Sequence, residues 1–214
     1  MNKINYGLLC EGVLREQEAL SDKKRLLLHV CCAPCASSVI EYLEKHFDIT
    51  LFFYNPNITD AEEFYYRLSE LQRFVDEREG QRCRIITPSY DPSEFFTVSN
   101  GLEDVAEGGV RCFECYAQRL RRTAEEAKTG GYDYFTTTLS VSPYKNAAKL
   151  NEIGSALERE YGVKHLPSDF KKKNGYLRSI ELSSVYSLYR QDYCGCIFSK
   201  RESDARKAAF DKSL

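Results

Sequence analysis

Seven of the nine cysteines in this 214-residue chain fall into three tight groups. Cys31, Cys32 and Cys35 form a CCxxC run, Cys112 and Cys115 form CxxC, and Cys194 and Cys196 flank a single glycine. Cys10 and Cys83 stand alone and read as small apolar core residues. A two-residue gap lets both thiolates reach one ion, or neighbouring irons of one cluster. Each group falls in a turn or at an element boundary. Backbone amides there lower thiol pKa and can hydrogen-bond cluster sulfur. Seven thiols exceed the four that one tetrahedral zinc or one 4Fe–4S cluster takes. The remaining three point to a second centre or a redox pair.

Four readings compete for these residues. A structural zinc uses four thiols and leaves three over. A thioredoxin-like dithiol fits Cys32-Ala33-Pro34-Cys35, but not Cys31 or the later groups. An ATP-dependent nucleotide-modifying enzyme fits the position of the first group, yet the loop lacks the glycines that cradle phosphate. An iron–sulfur redox enzyme fits the whole count.

The elements around the cysteines give the first group its position. Leu26-Leu27-Leu28-His29-Val30 is a short apolar run that suits a buried parallel strand. Val39 to Leu43 has helical spacing, so Cys31, Cys32 and Cys35 lie where a strand's C-terminal end meets a helix. In open parallel sheets that crevice is where ligands bind. Further strands are expected at Ile49–Tyr54, Cys83–Ile86, Tyr134–Thr138 and Val163–Leu166. Helices are expected at Asp60–Glu79, from Asp91-Pro92, and at Cys115–Lys128, Asn146–Tyr161, Ser179–Tyr189 and Ser199–Phe210. Their alternation predicts an α/β fold, a Rossmann-like parallel sheet flanked by helices, with the metal site at the C-terminal end of the strands. Residues 1–24 read as a polar N-terminal extension, and residues 25–214 as a single domain.

Composition narrows the function classes. The chain is 43% hydrophobic and 29% charged, which excludes disorder throughout. Its net charge of −2 provides no global field for nucleic acid, so any RNA contact must use local patches. No apolar stretch approaches the ~20 residues that span a bilayer, and no signal peptide is visible. A cytoplasmic, reducing setting follows as the expectation, in which clustered cysteines bind metal or do redox chemistry.

Five separated motifs then agree with one family. LLLHVCCAPC, YNPNI, GVRCFECYAQRL, FTTTLSVSPYKN and DFKKKNGYLRSIELSSVYSLYRQDYCGC resemble the QueH type of epoxyqueuosine reductase. The resemblance runs from Leu26 to Cys196. It implies reduction of epoxyqueuosine to queuosine at the wobble base of a tRNA, the final step of queuosine synthesis. It also implies a 4Fe–4S cluster with a second, mononuclear metal ion close by, for which iron is expected. Matched motif by motif, Cys31, Cys32, Cys112 and Cys115 correspond to cluster ligands. Cys194 and Cys196 correspond to a redox-active catalytic pair or to ligands of the second metal. Some family members carry Asp where this chain has Cys35; both are anionic ligands, and a thiolate favours iron or zinc over harder ions. The partners implied are tRNA carrying epoxyqueuosine and an electron donor that the sequence does not identify.

Other residues carry weaker expectations. Tyr193, Asp192 and His29 are candidates for the proton donor, with a core role competing for His29. Lys171-Lys172-Lys173 with Phe170 and Tyr176 suits phosphate contact and base stacking. So do Arg119, Arg121 and Arg122, and Lys200-Arg201. The hydroxyls of Thr136, Thr137, Thr138, Ser140 and Ser142, and the amides of Asn55 and Asn57, either face the crevice or serve ordinary turns. The alternatives to a reductase are a dithiol oxidoreductase and a zinc-stabilised RNA-binding module.

Overall fold

Leu26, Leu27 and Leu28 are all fully buried, which requires protein on both faces of their strand. Successive strand residues point to opposite faces. Leu26 and Leu28 pack on one side with Phe47, Ile49 and Leu51, and Leu27 packs on the other with Phe52 and Phe135. The computed structural model describes residues 4–80 and 82–211. The outermost residues of the expected extension and domain, 1–3 and 212–214, lie outside that range.

Five strands form the sheet: β1 (Lys24–His29), β2 (Phe47–Phe52), β3 (Arg84–Ile86), β4 (Tyr134–Thr137) and β5 (Lys164–His165). Their order is β3-β2-β1-β4-β5, and every neighbouring pair is parallel. This is the expected α/β architecture. On one face lie α1 (Tyr6–Glu18), α2 (Ala33–Leu43) and α3 (Ala61–Glu77). On the other lie α5 (Val110–Thr129) and α6 (Ala147–Tyr161), with α4 (Ser93–Ser99) packed against α5. α7 (Gly175–Val185) packs on α2, and α8 (Ile197–Asp211) closes the chain. No helix among the described residues is long and apolar enough to cross a membrane.

Successive strands step outward from β1 to β3, and the chain then returns to place β4 on the other side of β1. The switch point is therefore the gap between β1 and β4, where a crevice opens beyond the strand ends. His29 and Thr137 are register partners across it. His29 Nδ1 lies 2.8 Å from Thr137 Oγ1, which ties the two strand ends together.

Several boundaries differ from the sequence reading; α7, for one, runs Gly175–Val185 rather than Ser179–Tyr189. α5 starts at Val110, with Gly109 as its N-cap, so Cys112 and Cys115 stand on the opening turns of a helix. The glycines that suggested a loop set the helix start instead. β1 extends back to Lys24, because Lys24 and Arg25 pair with Phe47 and Asp48 of β2. The expected N-terminal extension carries α1, whose Cys10 and Leu14 join the same core as β1.

β5 carries His165, buried against the Phe135 ring and against α6, where a Cβ on Gly154 would meet the imidazole at 2.3 Å. Burial lowers the His165 pKa from 6.5 to about 4. A depressed histidine pKa means the unfolded chain takes up a proton that the folded chain refuses. The stabilising contribution is whole above pH 6.5 and is lost as pH falls toward 4. His165→Leu should therefore flatten the acid loss of stability in this window, by up to about 1.4 kcal/mol per pH unit, in urea unfolding. Parallel pH profiles for the two proteins would contradict this.

Candidate metal centre

The backbone after β1 turns directly into α2, with Cys32 as N-cap and Pro34 in the first turn, where its missing amide costs nothing. This turn brings the sulfurs of Cys31, Cys32 and Cys35 within 4.8 Å of one another. Cys32 is held well below the ordinary thiol range by hydrogen bonds from Cys31 and Cys35, helped by the charge of Arg67. Cys35 is pushed well above it, because hydrogen bonding with Cys31 and then Cys32, and then burial, favours its protonated form.

Cys112 and Cys115 of α5 line a neighbouring cavity together with Cys194 and Cys196, which precede and open α8. Burial raises Cys115 to about 11 and Cys196 to about 12. Cys31 and Cys32 stand outside this lining, with Cys35. The two sets are nevertheless adjacent, because buried arginines lie between them. Arg67 is influenced by both Cys32 and Cys194, and its Nη1 donates to the Cys194 carbonyl at 3.2 Å. Arg119 is influenced by Cys115, Cys194 and Cys31. The Asn57 amide approaches Cys194 Sγ at 4.0 Å, and Thr138 Oγ1 lies 3.9 Å from Cys31 Sγ.

Arg119 is only 1% exposed, and among the described residues no carboxylate lies within ion-pair distance of it. Its Nη2 has no hydrogen-bond partner, and neither has Asn57 Oδ1. An isolated buried cation is expensive, so the site demands anions. Although burial opposes its charged form, the surrounding thiols raise the Arg119 pKa further. Arg111 and Lys145 add two more cations to the cavity wall, the Lys145 ammonium 3.0 Å from Glu107. Burial would raise the Glu107 carboxyl, but Lys145 and Ser199 hold it below its usual range. Three thiols within 4.8 Å of one another, with four more in the adjoining cavity beside buried cations, fit a thiolate-ligated metal such as iron.

Several expectations are corrected here. Arg119 cannot touch RNA phosphate, since it is internal; it stands one helical turn after Cys115 and donates Nε to the Cys115 carbonyl at 3.2 Å. Arg121 and Arg122 are exposed but paired with Glu160 and Glu125. Lys171 and Lys173 are held by Asp169 and Glu11 at 2.6 and 2.5 Å, so that segment offers less free charge than its sequence suggests. His29 is a core residue: both ring nitrogens are engaged, and burial first, with Arg119 second, lowers it to about 4. Asp192 pairs with Lys207 near the surface, and Tyr193 packs over Arg67. Thr136 and Ser140 serve the fold, bonding Leu166 and Ser168. The sequence reading missed Arg67, Glu107, Lys145 and Ser199. Arg67 had a signal: it falls on the apolar stripe of α3, between Phe64 and Leu71.

Residues 26–202 match the family described as Epoxyqueuosine reductase QueH. The chain is 39% identical to the epoxyqueuosine reductase QueH of Streptococcus pyogenes serotype M1, over 99% of this chain and 88% of that one. It is 40% identical to the protein of the same name from Staphylococcus epidermidis, over 92% and 85%. The corresponding Thermotoga maritima protein is 34% identical, over 87% and 96%.

The Cys194–Gly195–Cys196 turn depends on its glycine. Gly195 has φ +115°, and an added Cβ would sit 2.9 Å from Ile58 Cγ1. Gly195→Ala should lower stability by about 1–3 kcal/mol in urea unfolding. An unchanged midpoint would show that the turn is not held in this form.

Proposed function

Since the chain belongs to the QueH family of epoxyqueuosine reductases, we propose that it reduces epoxyqueuosine to queuosine at the wobble position of a tRNA, in the cytoplasm. The chain is an oxidoreductase. The observation that carries the fuller reading is the convergence of three cysteine groups on two buried arginines at the switch point of the sheet.

The reaction breaks both C–O bonds of the epoxide and leaves an alkene. It consumes two electrons and two protons and releases the oxygen as water. Side chains do not supply electrons repeatedly, so the reading includes a 4Fe–4S cluster and a single iron ion, fed by an external reductant. Motif matching makes Cys31, Cys32, Cys112 and Cys115 the cluster ligands. Cys35, Cys194 and Cys196 then remain for the ion, or Cys194 and Cys196 act as a redox pair. When bound, such centres supply electron transfer and draw charge from the leaving oxygen.

The chain's own residues do the rest. Arg67 and Arg119 balance thiolate charge in a dry site. Lys145 keeps a proton at Nζ in the cavity wall, since Cys194, Tyr116 and Glu107 overcome the effect of its burial. It is a protonated side chain in the wall of the cavity that Cys194 also lines, and it joins Tyr193 as a proton donor to test. Reaching this depth requires a wobble base turned out of its stack.

Conversion of epoxyqueuosine-containing tRNA by the anaerobically purified chain with dithionite is the test. Mass spectrometry of the digested nucleosides should show loss of one oxygen. Cys194→Ser and Cys196→Ser should each cut turnover on the order of 100-fold or more. Unchanged epoxyqueuosine with the wild-type chain would overturn the proposal.

A further inference from the structure

Residues 107 and 108 link the two cysteine pairs of the cavity, one directly and the other through Ser199. The Gly108 amide donates to Cys112 Sγ at 3.2 Å. The Glu107 side chain turns toward the other pair. Its Oε1 accepts from Lys145 Nζ at 3.0 Å, and its Oε2 accepts from Ser199 Oγ at 3.0 Å. Ser199 is 1% exposed and passes the contact on: its Oγ accepts from the Cys194 amide at 3.0 Å, and its own amide donates to Cys196 Sγ at 3.3 Å.

The chemistry of this chain is directional. An ionised carboxylate only accepts, so the single Ser199 hydroxyl proton must point at Glu107. The lone pairs of Ser199 then face the Cys194 amide. On its opposite side the same turn is held by Arg67 Nη1 on the Cys194 carbonyl and by the Thr59 amide on the Gly195 carbonyl, each at 3.2 Å. The turn is thus clamped between two walls, and Glu107 is the member of one wall that also belongs to the loop carrying Cys112.

We propose that Glu107 is a positioning residue for the reductase site, fixing the Cys194–Gly195–Cys196 turn against Cys112 through Ser199 and Lys145. The proposal rests on the reading of this cavity as the reaction site, and it assigns a role to a residue that touches neither substrate nor sulfur. A glutamine at 107 keeps an acceptor for Lys145 but loses the charge, and its NH2 can pair with Ser199 only if the hydroxyl proton turns away from it.

The test compares the full-length wild type, purified without oxygen, with Glu107→Ala, Glu107→Gln and Ser199→Ala. Iodoacetamide labelling rates are read cysteine by cysteine by mass spectrometry. Glu107→Ala and Ser199→Ala should speed labelling of Cys194 and Cys196 by about tenfold or more, as loss of a charge-assisted hydrogen bond gives, with Cys10 and Cys83 within about twofold of wild type. Glu107→Gln should fall between wild type and Glu107→Ala, and it preserves the test if the alanine variant does not fold. In turnover of epoxyqueuosine-tRNA, kcat should drop about tenfold with KM within about twofold. Unchanged labelling at Cys194 and Cys196, a uniform rise at every cysteine, or a loss confined to KM would each overturn the assignment. A wild-type chain that reduces nothing would end the reductase reading, while the labelling rates would still decide whether Glu107 holds the turn.

Discussion

A full positive charge sits at the centre of this protein, and among the described residues no carboxylate meets it. Arg119 is internal, and the groups around it are thiols from all three cysteine stretches. Removing a guanidinium from water costs several kcal/mol unless anions compensate. Thiolates are the compensation at hand, and thiolates are also what iron binds. The same charge that would destabilise an ordinary core therefore favours the ionised form of the ligands. Arg67 repeats the arrangement on the other side of the Cys194 turn, with Glu63 as an additional partner at 2.6 Å.

The fold explains why these charges can be collected at one point. A doubly wound sheet opens only where its strand order reverses, and β1 and β4 meet there. Short connections from their ends deliver the CCxxC turn and the Thr138 hydroxyl. The start of α5 then brings Cys112 and Cys115 from the opposite face, and the long return after α7 brings the CxC turn. Hydrogen bonds from Arg67 and Thr59, and one to Ser199, hold that last turn to both walls. Binding residues from distant stretches of chain become neighbours because the sheet supplies a rigid edge for them.

Much of this was legible in the sequence, for physical reasons that differ by residue. Leu26 to Leu28 announce a strand buried on both faces. The cysteine groups announce themselves by spacing, and the position of the first group follows from the strand before it. The arginines were not legible in the same way. Arg119 shares a segment with Arg121 and Arg122, and charge alone made the three look equivalent; only helical phase, one turn after Cys115, separates the internal one from its exposed neighbours. α5 was read as starting late because glycines end a periodic pattern as readily as they begin one. Glu107, Lys145 and Ser199 are common surface types, and nothing local marks them. They acquire a role only when loops far apart in the chain meet.

The account turns on whether buried positive charge and seven thiols make an iron–sulfur site. Iron and acid-labile sulfide, measured in protein purified without oxygen from wild type and from Arg119→Leu, address that directly. Wild type should carry several of each per chain, with iron in excess over sulfide, and Arg119→Leu should remain folded yet lose most of both. A colourless wild type holding only zinc, or an Arg119→Leu protein as fully loaded as wild type, would contradict the account.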